Sequence, residues 1–328
     1  MKVSLIAALA GAVVLSHAPA LQAQAPTQWL LATGYRAESF HTQNIQQFAD
    51  EVVRVTAGSL RIEVKSNNSL FKLNDIRQAV QDGKTQAGET IMTSMVKEIP
   101  IAGADAIPFV VSSYDDAWRM WVLQRPLIDK HFETRGLKAL YAVPWPPQGL
   151  YSKTPVKSAA DFAGTSMRTY NQSTTRIAQM LGARPVDVPM VGVSKALAEG
   201  KMDNMITSAV TGVENKVWTD IKNYYEINAW FPKNIVFVNL KAFSALKPAE
   251  QKAVTDAAQE AEKRGWALSQ AAAAESTAEL KAKGMTVERI PAQFEASLKR
   301  MGETFSREWV RSVGNEANSI FVPYYIQR

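Results

Sequence analysis

The chain has 328 residues, no cysteine and a formal net charge of +6, with 46% hydrophobic and 21% charged residues. This composition is typical of a globular protein with room for two domains, and it excludes disulfides, zinc–thiolate sites and thiol nucleophiles. The basic residues form no cluster interleaved with aromatic side chains, so we expect no nucleic-acid partner.

The amino terminus carries a predicted secretory signal peptide over residues 1–23. Lys2 precedes an apolar run from Val3 to Leu15 that is too short to span a bilayer, and small residues lead to a cleavage point after Ala23. No later segment reaches about 18 uninterrupted apolar residues, so the mature chain is predicted to be exported and not membrane-embedded.

After the signal peptide, strand and helix patterns alternate, which predicts an α/β fold with a mostly parallel sheet. The predicted strands are residues 29–32, 60–64, 85–92 and 136–142. The predicted helices between them are residues 40–55, 74–80 and 114–123. Tyr35 lies in the loop after the first strand, where a ligand can approach.

A proline-rich passage, residues 143–149, interrupts this alternation and is the first predicted crossing between two lobes. Beyond it we predict strands over residues 165–170, 183–188 and 202–208, and helices over residues 175–181 and 193–198. A further strand, residues 234–239, is predicted to return to the first lobe. Trp145 and Trp230 stand near the two crossings, where tryptophans form either core or flat pocket walls.

Residues 247–283 are rich in Ala, Glu and Lys and predict one long helix, in which Gly265 is a potential kink. The segment lacks the steady heptads of a coiled coil, so we interpret it as a scaffold helix along both lobes. A last helix is predicted over residues 294–310. The predicted division assigns residues 24–148 and about 234–265 to lobe I, and residues 149–233 and about 266–328 to lobe II.

Arg168 is the leading candidate for a ligand contact. It lies near the carboxyl end of a predicted strand and beside the start of a helix that Asn171 and Ser173 can cap. Helix N–H groups and the macrodipole favour anions at that position, and a guanidinium matches a carboxylate in bidentate geometry. An ordinary ion-paired arginine is the alternative.

Two passages repeat one pattern of helix, acid-Gly-Lys stop, strand and hydroxyl pair. Residues 79–84 lead to Ser94, and residues 196–201 lead to Thr207. Two similar lobes that present small hydroxyl groups to a shared cleft explain the repeat. Coincidence between generic helix–Gly–strand units explains it equally well.

Catalytic patterns are sparse, since HExxH, GxSxG and a glycine-rich phosphate loop do not occur. The histidines after the signal peptide are His41 and His131, and we interpret His41 as a helix-surface or satisfied core residue rather than a ligand contact. We therefore predict no enzyme, no metal site and no cofactor, although two carboxylates that meet in space stay open.

The ordered motifs resemble those of the DctP family, the periplasmic substrate-binding subunits of TRAP transporters. The matching segments include SLFKLNDIRQAVQDGKTQAG from Ser69, AIPFVVSSYDDAWR from Ala106, KSAADFAGTSMRTYN from Lys157 and LAEGKMDNMITS from Leu197. The resemblance covers essentially the whole mature length. It implies a two-lobed periplasmic-binding-protein fold with a domain-spanning helix, a small-molecule carboxylate ligand, a periplasmic location, and small and large TRAP membrane subunits as partners. We expect a monomer.

The resemblance also implies that Arg168 grips the ligand carboxylate. It puts Gln148, Thr207 and the segment from Thr90 to Ser94 in the pocket. We expect Thr207, Ser94 and Gln148 to hydrogen-bond other ligand oxygens. We expect the apolar wall to be formed by Trp145, Met92, Tyr35 and Trp230.

Three positions depart from the commoner family pattern. Gln148 stands where several sugar-acid binders have a second arginine, and Ile91-Met92 stands where sialic-acid binders have an acid. Met205-Ile206-Thr207 replaces the frequent Gln-Glu-Asn. These changes favour a 2-hydroxy, 2-oxo, aromatic or small sugar acid over a sialic or uronic acid. An ABC-type binding protein, a ligand-sensing protein and an exported hydrolase remain alternatives.

Overall fold

The computed structural model of the protein describes residues 25–326, so the predicted signal peptide lies outside the described residues. Up to the first crossing the elements are β1 (Thr27–Ala32), α1 (Phe40–Val55), β2 (Leu60–Lys65), α2 (Ile76–Gln81), β3 (Ala87–Ile91), α3 (Tyr114–Glu133) and β4 (Leu137–Pro144). The next stretch contains β5 (Gly149–Ser152), β6 (Ser166–Thr169), α4 (Gln172–Met180), β7 (Arg184–Asp187), α5 (Val193–Ala198), β8 (Asn204–Thr207), α6 (Ala209–Glu214) and β9 (Asn223–Tyr225). The last stretch contains β10 (Lys233–Asn239), α7 (Leu240–Ser244), α8 (Pro248–Ala282), β11 (Thr286–Glu288), α9 (Ala292–Val313) and α10 (Asn315–Ile326).

The strands form two sheets, and each sheet is the centre of one lobe. The sheet of lobe I has the order β2-β1-β3-β10-β4, and the sheet of lobe II has the order β11-β9-β5-β8-β6-β7. Among the strands of residues 25–326, only β10 in lobe I and only β5 in lobe II run antiparallel to both of their neighbours. Each of these strands begins directly after a crossing, at the edge where the other strands of its sheet end, and therefore runs in the opposite direction.

The two crossing segments are hydrogen-bonded to each other through the main chain. Gln148 N donates to Trp230 O at 3.0 Å, and Gln148 O accepts from Ala229 N at 2.9 Å. Trp145 N donates to Pro232 O at 2.8 Å. The predicted crossing at residues 143–149 therefore coincides with the step from the first sheet to the second. The assignment of every residue to a lobe stays a prediction. Helix α10 packs on lobe I, where the Tyr324 hydroxyl donates to Val110 O at 2.9 Å.

The long helix α8 is unbroken and spans both lobes. It packs on α1 and β4 of lobe I and on α6 and β11 of lobe II. The helix does not break at Gly265. A Cβ added at this position would come within 2.3 Å of Val143 on β4. This glycine lets the helix approach the sheet closely. The predicted fold class, a two-lobed α/β binding protein with a domain-spanning helix, is confirmed.

The differences from the predicted elements have identifiable causes. Helix α3 continues past the predicted end and through Pro126, and the added turns bury Ile128 and Phe132 completely. Burial of two large side chains offsets the cost of a proline in a helix. The prediction also lacked β5, α6, β9 and β11, whose three to six residues are too few to establish a period. Among the described residues, no helix combines the length and the hydropathy needed to cross a bilayer.

Candidate ligand-binding cleft

The carboxyl ends of strands from both sheets face each other across one cleft. A group of apolar residues fills this space, and we name it the cleft cluster: Tyr35, Ile91, Trp145 and Val210, with Phe40, Leu73, Tyr170, Met190 and Ala272 packed against them. On the lobe I side its members follow β1, β2 and β4 or end β3, and on the lobe II side they follow β6, β7 and β8, while Ala272 lies on α8. This is the edge at which α/β sheets bind ligands.

Arg168 lies on β6 at the lobe II side of the cleft and is only 3% exposed. Its Nε donates to Val188 O at 2.9 Å, and its guanidinium carbon lies 4.8 Å from the centre of the Tyr170 ring. Among residues 25–326, no carboxylate forms an ion pair with it. Burial lowers the pKa of Arg168 to about 10, against the opposing effects of Tyr170, Tyr35 and Asp187. The side chain is thus a buried cation whose terminal nitrogens have no protein acceptor among the described residues.

Tyr170 and Trp230 lie beside this guanidinium. Burial raises the pKa of Tyr170 to about 12, while Arg168 and the nearby Trp230 indole lower it. Trp230 is buried, and within the described part of the chain its Nε1 has no hydrogen-bond partner of standard geometry. Trp230 therefore lies close to the predicted anion site, and its indole N–H acts on the Tyr170 hydroxyl.

Gln148 and Thr207 lie next to each other at the cleft edge of the second sheet, because Gly149 pairs with Thr207 across β5 and β8. Both side chains are buried. Gln148 Nε2 donates to Pro146 O at 2.8 Å, and Thr207 Oγ1 donates to Thr211 Oγ1 at 3.0 Å. The side-chain oxygens of both residues keep the capacity to accept a further hydrogen bond.

Ser94 and Met92 follow β3 in a short 3₁₀ turn, Met92–Met95. The Ser94 hydroxyl donates to Ile91 O at 2.7 Å and lies 3.0 Å from Thr90 Oγ1, so its hydrogen is used within the turn. Met92 is fully buried in the largest hydrophobic core, whereas its neighbour Ile91 belongs to the cleft cluster. Ligand contact by Met92 and Ser94 stays a prediction, as it does for the other site residues.

Tyr35 and Trp145 form the lobe I wall of the cleft, with their ring centres 5.2 Å apart. Asn234, the second residue of β10, holds both of them. Trp145 Nε1 donates to Asn234 Oδ1 at 2.8 Å, and the Tyr35 hydroxyl lies 3.3 Å from the same oxygen. The wall is therefore fixed by a buried amide that the sequence pattern did not single out.

Glu89 lies behind this wall, fully buried in β3. It accepts from Thr33 Oγ1 at 2.5 Å and from Asn234 Nδ2 at 2.9 Å, and His41 Nδ1 lies 3.5 Å away. Burial raises the pKa of Glu89 to about 7 against these two hydrogen bonds, and burial lowers the pKa of His41 to about 3. His41 is thus a core histidine that packs at a tilted angle against Trp145, with ring centres 4.4 Å apart.

Two polar contacts link the lobes at the mouth of the cleft. Asn171 caps α4 of lobe II and donates its Nδ2 to Thr93 Oγ1 of lobe I at 2.7 Å. Arg36 of lobe I donates to Glu214 O of lobe II at 2.8 Å. Burial raises the pKa of Glu214 to about 7, although Arg36 opposes this effect. These contacts bridge the two lobes across the cleft.

The described residues contain no group of three or more acidic or histidine side chains that could hold a metal ion. His131 lies on α3 with its Nε2 2.9 Å from Glu316, and His41 lies beside Glu89. Within residues 25–326 neither histidine bonds to a serine or threonine hydroxyl. The role of Arg168 as an anion contact stays a prediction.

Sequence patterns missed several residues of this cleft, among them Glu89, Tyr170, Val210 and Asn234. Tyr170 follows Arg168 by two residues, so its place at the carboxyl end of the same predicted strand also indicated a cleft position. Asn234 begins a strand directly after a crossing, which is a position where polar residues face a cleft. Glu89 gave a signal too, since it is a charged residue inside the otherwise uncharged strand AGETI.

The chain matches known proteins over most of its length. Residues 31–312 match DctP, described as bacterial extracellular solute-binding protein, family 7. A solute-binding protein of Verminephrobacter eiseniae is 27% identical over 287 residues, which is 84% of each chain. Crystal structures of DctP6 and DctP7, Bordetella pertussis extracytoplasmic solute receptors binding pyroglutamic acid, are 35% and 36% identical, each covering 91% of this chain and 99% of the other, with a TM-score of 0.89.

The family and these structural neighbours are substrate-binding receptors, and a further neighbour of 35% identity is a TRAP solute-binding protein. Its match covers 92% of this chain and 99% of that one, again with a TM-score of 0.89. The chain therefore belongs to the DctP family, the substrate-binding subunits of TRAP transporters.

Proposed function

We propose that this protein captures pyroglutamic acid, or a ring monocarboxylate of similar size, between its lobes in the periplasm. The closed complex then delivers the ligand to the small and large membrane subunits of a TRAP permease. The observation that carries this proposal is Arg168, a buried guanidinium at the cleft without a carboxylate partner among the described residues. A ligand carboxylate supplies the missing counter-charge.

The energetics favour a carboxylate over a neutral ligand. Burying a cation without a partner is costly, and an incoming anion recovers that cost through charge-assisted hydrogen bonds of about 1.5–3 kcal/mol. The apolar cleft cluster leaves little to satisfy the many hydroxyl groups of a uronic acid. The receptors of 35% and 36% identity, which bind pyroglutamic acid, support the same size and charge.

Closure couples binding to delivery. Arg168 belongs to lobe II, whereas Tyr35 and Trp145 belong to lobe I, so a ligand that touches both walls binds the closed arrangement more tightly than an open one. A ligand shifts such an equilibrium only by its differential affinity for the two states. The links from Asn171 to Thr93 and from Arg36 to Glu214 then stabilise the closed form.

Calorimetry and thermal shift on the purified mature protein test this proposal with L-pyroglutamate, D-glucuronate, a 2-hydroxy acid and neutral 2-pyrrolidone. We expect L-pyroglutamate to bind most tightly and to raise the melting temperature by mass action. Neutral 2-pyrrolidone keeps the ring without the carboxylate and is expected not to bind. Binding of glucuronate alone would overturn the ligand class, and binding of pyrrolidone as tightly as pyroglutamate would overturn carboxylate recognition.

A further inference from the structure

A buried polar network fixes the lobe I wall of the cleft, and its centre is Glu89. The network runs from Thr33 and His41 through Glu89 to Asn234, and from Asn234 to Trp145 and Tyr35. Each of these six side chains is at most 4% exposed. Because the groups are buried, their hydrogen bonds are made within the protein and their directions are fixed by donor and acceptor chemistry.

The orientation of the Asn234 amide follows from its neighbours. The Trp145 indole N–H is only a donor, so the Asn234 atom that it meets at 2.8 Å has to be the oxygen. The amide nitrogen then faces Glu89 Oε1 at 2.9 Å, which accepts. A carboxyl group keeps an oxygen that accepts from this amide whether or not it is protonated, so the orientation holds in both protonation states.

The direction of the Tyr35 hydroxyl follows in turn. Its oxygen lies 3.3 Å from Asn234 Oδ1, an atom that can only accept, so Tyr35 donates its single hydrogen there. The Trp145 indole N–H, which donates to Asn234 Oδ1, also acts on the Tyr35 oxygen, so Tyr35 has a remaining lone pair to offer to the cleft. Tyr35 belongs to the cleft cluster together with Tyr170 and Val210 of lobe II, and it is near enough to Arg168 to affect the pKa of that guanidinium.

We infer that Glu89 and Asn234 are positioning residues that set the polarity of the cleft, so that Tyr35 presents an acceptor and selects carboxylates that carry an N–H or O–H donor. This inference rests on the proposed function and narrows its ligand class. A ligand that brings an ether or carbonyl oxygen to Tyr35 leaves two acceptors facing each other without a hydrogen. A site built for one hydrogen-bonding partner rejects the analogue that lacks it. The ring N–H of pyroglutamate supplies such a donor.

The direct test compares L-pyroglutamate with (S)-5-oxotetrahydrofuran-2-carboxylate, the lactone in which a ring oxygen replaces the N–H. We expect calorimetry on the wild-type protein to give binding of the lactone at least about tenfold weaker. Tyr35→Phe removes only the phenol oxygen, and we expect the two dissociation constants in that variant to approach each other. Equal binding of both compounds by the wild-type protein would overturn the inference and leave the proposed function standing. Binding of neither compound would overturn the proposed function as well.

The positioning role of Glu89 is tested by the same ratio of dissociation constants. Glu89→Gln keeps an oxygen that can accept from Asn234, so we expect it to preserve the preference for the lactam. Glu89→Leu removes that acceptor and is expected to reduce the preference to less than threefold. The matched control Gln124→Leu makes a comparable buried change outside this network, because Gln124 Nε2 donates to Ile101 O at 2.8 Å, and it is expected to leave the ratio unchanged.

The ratio of two ligands in one variant is insensitive to the fraction of protein that folds. If Glu89→Leu yields no folded protein, the Tyr35→Phe comparison still decides whether the wall selects a donor. A preference that survives in Tyr35→Phe, that is lost in Glu89→Gln, or that is lost equally in Glu89→Leu and Gln124→Leu, would overturn the assignment.

Discussion

On the lobe II side of the cleft, Arg168 is buried with a single main-chain acceptor and a tyrosine ring. On the lobe I side, Glu89, Asn234 and Trp145 are equally buried but bond to one another. The lobe II wall thus keeps hydrogen-bond donors available for an anion. The lobe I wall uses its donors and acceptors to fix its own shape. We expect substitutions on the two sides to separate binding from stability.

Arg168→Met is expected to give the largest effect, a loss of at least about 100-fold in affinity for L-pyroglutamate, because a desolvated carboxylate then faces an apolar side chain. The melting temperature without ligand is expected to equal or exceed that of the wild type, since an unpaired buried charge is removed. Calorimetry and thermal melts measure the two quantities. Arg176→Met, at an exposed arginine paired with Glu308, is the control and should leave affinity unchanged. A large loss of melting temperature in Arg168→Met would instead assign Arg168 a structural role.

Asn234→Ala is expected to show the reverse pattern on the lobe I side. The change leaves Glu89, Trp145 and Tyr35 with unpaired buried groups, so we expect the free energy of unfolding to fall by about 2–4 kcal/mol. Urea unfolding without ligand measures this loss. Asn318→Ala, at an exposed position on α10, is expected to stay within about 0.5 kcal/mol of the wild type. Equal stability of the two variants would contradict a self-supporting lobe I wall.

The pH dependence of the free energy of unfolding is expected to show that ionising Glu89 in lobe I destabilises the folded state. Burial raises the pKa of Glu89 to about 7, so the folded state binds this proton more tightly than the unfolded state does. Stability from this group is therefore present at low pH and is lost as pH rises from about 4.5 to 7, by about 1.4 kcal/mol per pH unit. We expect the stability of Glu89→Gln relative to the wild type to increase over that window.

The titratable neighbours of Glu89 are His41, Tyr35 and Tyr141. Their contributions to the pH dependence cancel when the stability of the wild type is subtracted from that of Glu89→Gln. His41 acts in the opposite direction in both proteins, because its lowered pKa makes stability fall as pH decreases below about 6.5. Thermal melts between pH 4 and 8 measure the difference. A flat difference across this range would contradict the prediction, because it would mean that Glu89 has the same pKa in the folded and unfolded states.

Thr93→Val is expected to give the smallest effect, at the contact between the two sides. It removes the oxygen that accepts from Asn171, a hydrogen bond that opening of the lobes would break. We expect about fivefold weaker binding and faster ligand release, because the closed state loses roughly 1 kcal/mol. Stopped-flow release and calorimetry measure this, with the exposed Thr134→Val as control. Unchanged release would remove Thr93 from the closing contact.

Much of the fold follows from local sequence. The predicted helix over residues 40–55 coincides with α1, because Ile45, Phe48 and Val52 repeat at helical spacing and all three are buried. The predicted helix over residues 247–283 is α8 to within one residue at each end. Long amphipathic or helix-favouring segments carry enough periods to be recognised.

The cleft was predictable only in part. Arg168 carried its own signal, since it combines a strand end, a helix start and a charge. The partnership of Glu89 in β3 with Asn234 in β10 carried none, because it depends on two strands that pair although they are far apart in the chain. Gly265 is a similar case, since only the approach of α8 to Val143 explains it.

The position of β10 has a consequence for how the chain acquires its structure. β10 lies between β3 and β4, which touch each other only through it, yet it follows all of β5–β9 in the sequence. A chain that ends before Lys233 therefore leaves two open strand edges in the middle of the first sheet, and such edges invite aggregation. The second sheet differs, because β5–β9 follow one another in the chain and only the edge strand β11 comes later. We therefore expect the first lobe to complete its sheet late, through long-range pairing of β10, after the chain of the second sheet has emerged.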